Sequence, residues 1–211
     1  MPKDPSHHIG NKYAQCLKDF GDTPQGVHWP KPEDVPTRHR IMTEVVKPID
    51  KTSETTSILD FGCGASHYYE YILQNNLTWL HYTGLDISPE FIELSRKKFP
   101  NNQYYELNIN EPGHSLRNFD YIVMNGVFTV KWDLNYDDML AYTKLTLKNV
   151  FKHCNKGVAV NFLSAHVDWQ REDLFHLEFD CVASFIKTEL SRHFIFRQDY
   201  GLYEYTAYIY K

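Results

Sequence analysis

The chain has 211 residues, 42% of them hydrophobic and 23% charged, a balance that suits one compact α/β domain. Its formal net charge is −5, and its densest basic run is the short "SRKKF" around Lys97, which argues against a nucleic-acid binder. No apolar run nears the roughly 18 residues of a bilayer span and no signal-peptide core follows Met1, so a cytoplasmic, non-membrane protein is expected.

Residues 1–36 are rich in Pro, Gly, Asp and His and read as an irregular arm carrying one helix near Tyr13 to Asp19. In "PEDVPTRHRIMTEVVKPI" the spacing of Val35, Ile41, Met42, Val45 and Val46 predicts a helix. From Ser57 the pattern alternates. "SILDF", "HYTGLDI", "QYYELNI", "FDYIVMNGVF" and "GVAVNFL" read as strands. Between them, "HYYEYILQNN", "SPEFIELSRKKF" and "NYDDMLAYTKLTLKNVFKHC" read as helices, the second opened by Ser88 as N-cap and Pro89 in the first turn. Strands alternating with helices predict a parallel, doubly wound sheet. After a helix near Val182 to Leu190, "HFIFRQDYGLYEYTAYIYK" holds two strands around a short turn, too close for a parallel crossover and therefore antiparallel. The expected architecture is a Rossmann-like sheet of about seven strands ending in an antiparallel hairpin.

The turn "DFGCGAS" after the first strand places Gly62, Cys63 and Gly64 where backbone can approach a ligand and where a following helix offers its N–H groups. The third glycine of a dinucleotide fingerprint is missing, and Ser66 stands near its place. Asp86, at the end of the second strand, lies where an acidic residue can accept both hydroxyls of a ribose.

Together "ILDFGCGAS", "YTGLDIS", the Asn of "YELNI", "FDYIVMNGVF" and the closing hairpin resemble a class I S-adenosylmethionine-dependent methyltransferase over about Pro36 to Lys211. That resemblance implies residues 37–211 as the catalytic domain and residues 1–36 as an arm or lid over the active site. It implies S-adenosylmethionine as cofactor, with Asp60 organising the methionine amino group and Gly62, Cys63 and Gly64 giving close backbone approach. It further implies that Asp86 takes the ribose hydroxyls, that Ile87 flanks the adenine, that Asn108 meets the adenine amino group, and that Ile109 is a further cofactor-binding residue. Asn125, Gly126 and Val127 would line the methionine moiety.

The upstream "FGDTPQGVHWPKPEDVPTRHRIM" is similar to a narrower group of bacterial small-molecule methyltransferases acting on oxygen, in which an arm with Trp precedes a helix with Arg. By that analogy Arg38, with Arg40 as competitor, clamps the cofactor carboxylate, a bidentate task that suits arginine.

Tyr13, Trp29 and Phe128 are candidates for aromatic faces near a sulfonium or substrate. In "SAHVDWQREDLF", His166 is a candidate general base toward a hydroxyl, Asp168 its orienting partner and Arg171 a binder of an anionic substrate. His28 is a second candidate base. The four cysteines lack paired spacing, and no aspartate cluster of the catechol-methyltransferase kind is present, so no metal is expected. Nor does an Asn-Pro-Pro-Tyr or Pro-Cys signature of nucleic-acid base methylation follow the fourth strand. The expected partner is a small metabolite, anionic or hydroxylated, met by a monomer or homodimer and methylated on oxygen in preference to nitrogen, in the manner of bacterial biosynthetic tailoring. The competing expectations are a nicotinamide-dependent oxidoreductase sharing the glycine turn, and a catalytically silent cofactor-binding module.

Overall fold

A computed structural model describes residues 5–52 and 55–211 of the chain; the first four residues of the arm lie outside that range. The strands are β1 (Thr56–Phe61), β2 (Leu80–Asp86), β3 (Gln103–Glu106), β4 (Phe119–Met124), β5 (Cys154–Ser164), β6 (His176–Leu177), β7 (His193–Arg197) and β8 (Glu204–Tyr210). The helices are α1 (Pro5–Phe20), α2 (Val35–Thr43), α3 (His67–Gln74), α4 (Pro89–Lys98), α5 (Tyr136–Lys152) and α6 (Phe179–Glu189). The sheet runs β3-β2-β1-β4-β5-β8-β7, with β6 beside the end of β5, eight strands among the described residues. β1 to β5 pair in parallel, and β8 inserts antiparallel between β5 and β7. The eighth strand is β6. Its two residues pair with Leu163 and Ser164, too short a segment to leave a period in the sequence.

Local chemistry sets the helix starts. Ser88 Oγ accepts the N–H of Phe91 at 3.4 Å while Pro89 occupies the first turn, and the last turn of α4 carries Arg96, Lys97 and Lys98 where the helix dipole favours cations. Asn135 Oδ1 accepts the N–H of Asp138 at 2.8 Å and opens α5. Helices cover both faces of the sheet. On one, Leu59, Ile122, Val158, Val160 and Phe162 meet Leu147 and Val150 of α5 and Val182 and Ile186 of α6. On the other, Ile58, Val123, Ala159 and Tyr208 meet Ile41 and Met42 of α2 and Tyr68 and Ile72 of α3. These two layers position the site, because the strand order reverses between β1 and β4 and opens a cleft at their carboxyl ends.

The helix of the arm is longer than its pattern implies. Ser6, Ile9 and Ala14 are buried against the body, and His7 and His8 reach Glu111 and Asp133 at 3.0 and 2.6 Å. Tertiary contacts extend a helix whose first turns, "PSHHIGN", have little propensity of their own.

Candidate active site

At the β1/β4 switch point lies a cavity walled by Asp60, the Gly62–Gly64 turn, Asp86, Ile87, Asn108, Ile109 and Asn125 to Val127, and covered by α1 and the segment after it. The turn is tightly built. Gly62 has φ +74, and a Cβ there would come within 2.9 Å of Val127 Cγ2. The N–H groups of Gly62 and Cys63 both reach Leu85 O, at 2.8 and 3.0 Å, so the turn is folded back onto β2.

A structural serine stands one position before the place of the missing glycine, which His67 occupies. Ser66 is fully buried with φ 60, and its hydroxyl donates to Ser95 Oγ at 2.8 Å, which in turn donates to Gly64 O at 2.9 Å.

Two carboxylates face the cavity. Asp86 is buried: one oxygen accepts the N–H of Gly64 at 2.9 Å and the other the N–H of Ser88 at 2.9 Å. Burial raises its pKa, and the backbone donors of Ser88, Gly64 and Ile87 oppose that rise. Asp60 is 3% exposed and accepts the hydroxyl of Tyr82 at 3.0 Å. Burial drives its carboxyl up to about 7, the Tyr82 hydrogen bond opposes this, and the neighbouring Asp86 adds to it. Asn108 Oδ1 accepts the N–H of Asn110 at 3.0 Å, its amide lies 3.3 Å from Glu111, and with Ile109 it forms the far wall.

The arm forms the roof. A Cβ on Gly10 would meet Ile87 Cγ2 at 3.0 Å, and Tyr13 donates to Gly126 O at 3.4 Å, held there by burial that raises its phenol well above the usual range. Trp29 packs over Gly126, whose added Cβ would lie 3.0 Å from the indole Nε1. Arg38 lies over Trp29, 5.6 Å from the ring, with its Nε on both oxygens of Glu204 at 3.1 and 3.2 Å.

The structure thus gathers Tyr13, Trp29, Asp60, Gly62, Cys63, Gly64, Asp86, Ile87, Asn108, Ile109, Asn125 and Gly126 around one space. Other expected residues fall elsewhere. Arg38 is drawn to Glu204 instead of standing open to the cavity, and Arg40 pairs with Glu44 at 2.6 Å. Phe128 is fully buried in the core and stacked on Phe162 at 6.2 Å, because β4 ends just before it and the chain turns inward. His166 is exposed and lies on Phe179 at 5.3 Å, and Asp168 is also exposed. Arg171 is exposed and its Nε donates to Asp173 at 2.9 Å. All three belong to a segment held by Phe175 N–H on Thr129 O, and none of them lines the cavity. His28, with φ 60, packs 4.6 Å from Trp132 and 3.9 Å from Cys16 Sγ, and burial lowers its pKa.

Several lining residues were missed, His67 and Tyr142 among them, and two more pack on each other. His39 is 3% exposed, sits 5.6 Å from Trp29 and 5.5 Å from Tyr68, and lines the cavity. Burial, aided by His67 and Arg38, lowers its pKa to about 3, so it is a neutral imidazole. Its signal was present in α2, where His39 precedes buried Met42 and Thr43 by three and four positions. Tyr68, in the first turn of α3, is the other, with its hydroxyl 3.0 Å from Thr43 Oγ1.

Residues 59–160, from β1 to β5, match a family model described as a methyltransferase domain. A Mycobacterium tuberculosis protein provisionally named a methyltransferase is 26% identical over 165 residues, spanning 77% of this chain and 98% of its own. Among solved structures, the Burkholderia thailandensis 1,6-didemethyltoxoflavin-N1-methyltransferase, with its didemethyltoxoflavin and S-adenosylhomocysteine bound, superposes with a TM-score of 0.65 at 15% identity, over 100% of this chain and 90% of that one. The Synechocystis PCC 6803 magnesium protoporphyrin IX methyltransferase, holding S-adenosylhomocysteine, gives a TM-score of 0.61 at 9% identity, over 98% and 95%. At such identities the structural likeness is one of fold.

Proposed function

We infer that this chain, a class I S-adenosylmethionine-dependent methyltransferase, methylates a small, uncharged, hydroxylated or carbonyl-bearing molecule that enters beneath the arm. The observation that carries this reading is the charge of the cavity. Among the described residues its lining holds two buried carboxylates, Asp60 and Asp86, two histidines and no lysine or arginine. Such a wall suits a ligand with an ammonium, a sulfonium and a ribose diol.

The residues fit that cofactor. Asp60 would receive the methionine ammonium, the Gly62–Gly64 backbone would lie along the methionine chain, and Asp86 would accept from the ribose. Ile87 and Ile109 would sandwich the adenine with Asn108 at its edge, and the backbone at Asn125 and Gly126 would border the sulfur. When bound, S-adenosylmethionine supplies a methyl group activated on a sulfonium. The chain's own residues supply position and dryness: α1 and Trp29 exclude water, and Tyr13 braces Gly126.

His39, neutral on the cavity wall, can accept a hydrogen bond from an acceptor hydroxyl, so orienting one oxygen lone pair, and take up the hydroxyl proton as the methyl group arrives, passing it on to solvent. This favours oxygen over nitrogen as the methylated atom. An anionic acceptor is disfavoured, because Arg171, the cation expected to greet it, is matched to Asp173, and Arg38, expected on the cofactor carboxylate, is matched to Glu204. Among the described residues no helix is long and apolar enough to cross a membrane.

The test is calorimetric titration of the purified protein with S-adenosylhomocysteine and separately with NAD. One-to-one binding of the first alone, followed by methyl transfer from S-adenosylmethionine to members of a panel of neutral hydroxylated compounds, supports the reading. Binding of NAD alone overturns it.

A further inference from the structure

The arm also closes over a second recess, set between Asp22, Pro24 and Pro32 on one side and Glu70, Tyr71 and Gln74 of α3 on the other. The two spaces have a common wall, because His39 and His67 line both. His39 stands 5.5 Å from Tyr68, which lines the cavity, and 5.5 Å from Tyr71, which lines the recess. The two tyrosine rings are themselves stacked at 6.3 Å. One neutral imidazole therefore faces the cavity on one side and the recess on the other.

Charge narrows what the recess can hold. Among the described residues its lining has two carboxylates, Asp22 and Glu70, and no lysine or arginine. Both carboxylates are already matched. Lys98, which does not line the recess, has its Nζ 2.7 Å from Asp22 Oδ2 and 2.7 Å from Glu70 Oε1, and His67 Nε2 meets Asp22 Oδ1 at 2.9 Å. An incoming anion would face these carboxylates, and an incoming cation would compete with Lys98 for them. What the walls offer instead is hydrogen bonding and flat surface. Carboxylate lone pairs and the Gln74 amide suit the hydroxyls at the edge of a ring, while Tyr71, Pro24 and Pro32 suit its C–H faces.

We propose that the recess is the acceptor subsite and that it takes a neutral, hydroxyl-rich ring, which presents one hydroxyl to His39 across the common wall. The proposal rests on the cofactor reading above, which gives the first cavity to the methyl donor.

Methyl α-glucopyranoside and methyl α-glucopyranosiduronate, which share a ring and differ by one carboxylate, are the probes. Saturation-transfer NMR on the protein loaded with S-adenosylhomocysteine should show contact with the glucoside and at least about fivefold less with the uronate. With labelled histidine, the His39 ring signals should move as the glucoside is added. Gln74→Trp, made at an exposed position of α3, should fill the recess and lower the glucoside signal at least about fivefold, while S-adenosylhomocysteine affinity stays within about threefold. Equal contact from the uronate, a glucoside signal unchanged in Gln74→Trp, His39 signals that stay still, or no glucoside contact at all overturns the subsite. If S-adenosylhomocysteine fails to bind while the glucoside still contacts the free protein and moves His39, the cofactor reading falls and the ring site stands. If neither binds, both fall.

Discussion

One carboxylate oxygen of Asp86 accepts the backbone N–H of Gly64 at 2.9 Å, so the acidic end of β2 and the glycine turn after β1 are one unit. The second oxygen is spent on Ser88, at the start of α4. Asp86→Ala therefore removes a diol acceptor and also loosens the turn. S-Adenosylhomocysteine binding should weaken by about 1–3 kcal/mol in calorimetry. Unchanged affinity would remove Asp86 from the site.

Asp60 sets a pH dependence. Its carboxyl, ordinarily near 3.8, is raised to about 7 by burial. A raised carboxyl pKa means that ionisation opposes the folded state: stability from this group is full below about 4 and is lost as pH rises towards 7. Pairing with an ammonium favours the ionised form and draws the pKa down. Below about pH 7, cofactor binding should therefore release a proton, and affinity should fall with acidity by at most about tenfold per pH unit. Calorimetry at pH 6 in two buffers of different ionisation enthalpy reads the proton directly. Asp60→Asn should abolish the difference between buffers, and a difference that survives in that variant refutes the assignment.

Gly126 has φ +80 and leaves 3.0 Å between an added Cβ and Trp29 Nε1. Gly126→Ala should push the indole off the roof and strain the turn, at a cost of about 1–2 kcal/mol. Stopped-flow release of S-adenosylhomocysteine should quicken, with altered tryptophan fluorescence. An unchanged release rate would show that Trp29 is no lid.

The Arg38–Glu204 pair is nearly enclosed, the side chains 15% and 3% exposed. Arg38→Ala should destabilise by about 3–5 kcal/mol, because it strands a buried carboxylate. The double variant Arg38→Met with Glu204→Leu should recover most of that loss in urea unfolding. If the double variant is no better than the single, the stranded charge is not the cause.

Histidine placement separates two readings of the chemistry. His39→Phe should lower turnover of an identified acceptor by about 10–100-fold with cofactor affinity nearly intact, whereas exposed His166→Ala should stay within about twofold. The reverse ranking would return the proton-handling role to the loop after β5.

The elements were legible because their signals are local. Apolar runs at periods of 2 and 3.6, Ser88 as a cap, and the short gap before β8 act over a few residues, and the fold carried them as read. The cofactor half of the site was legible for the same reason: a parallel sheet delivers the ends of β1, β2 and β4 to one edge, so Asp60, Gly62, Asp86 and Gly126 must meet. What the chain alone could not decide was which exposed-looking polar residues turn inward. Glu204 stands as a lone charge in the alternation "YEYTAYIY", yet only the insertion of β8 beside β5 brings it under Arg38. His166 and His39 look alike in sequence. The packing of α2 buries His39 beside Trp29, while the loop after β5 leaves His166 in solvent, and such burial is a property of long-range contact that no local pattern encodes.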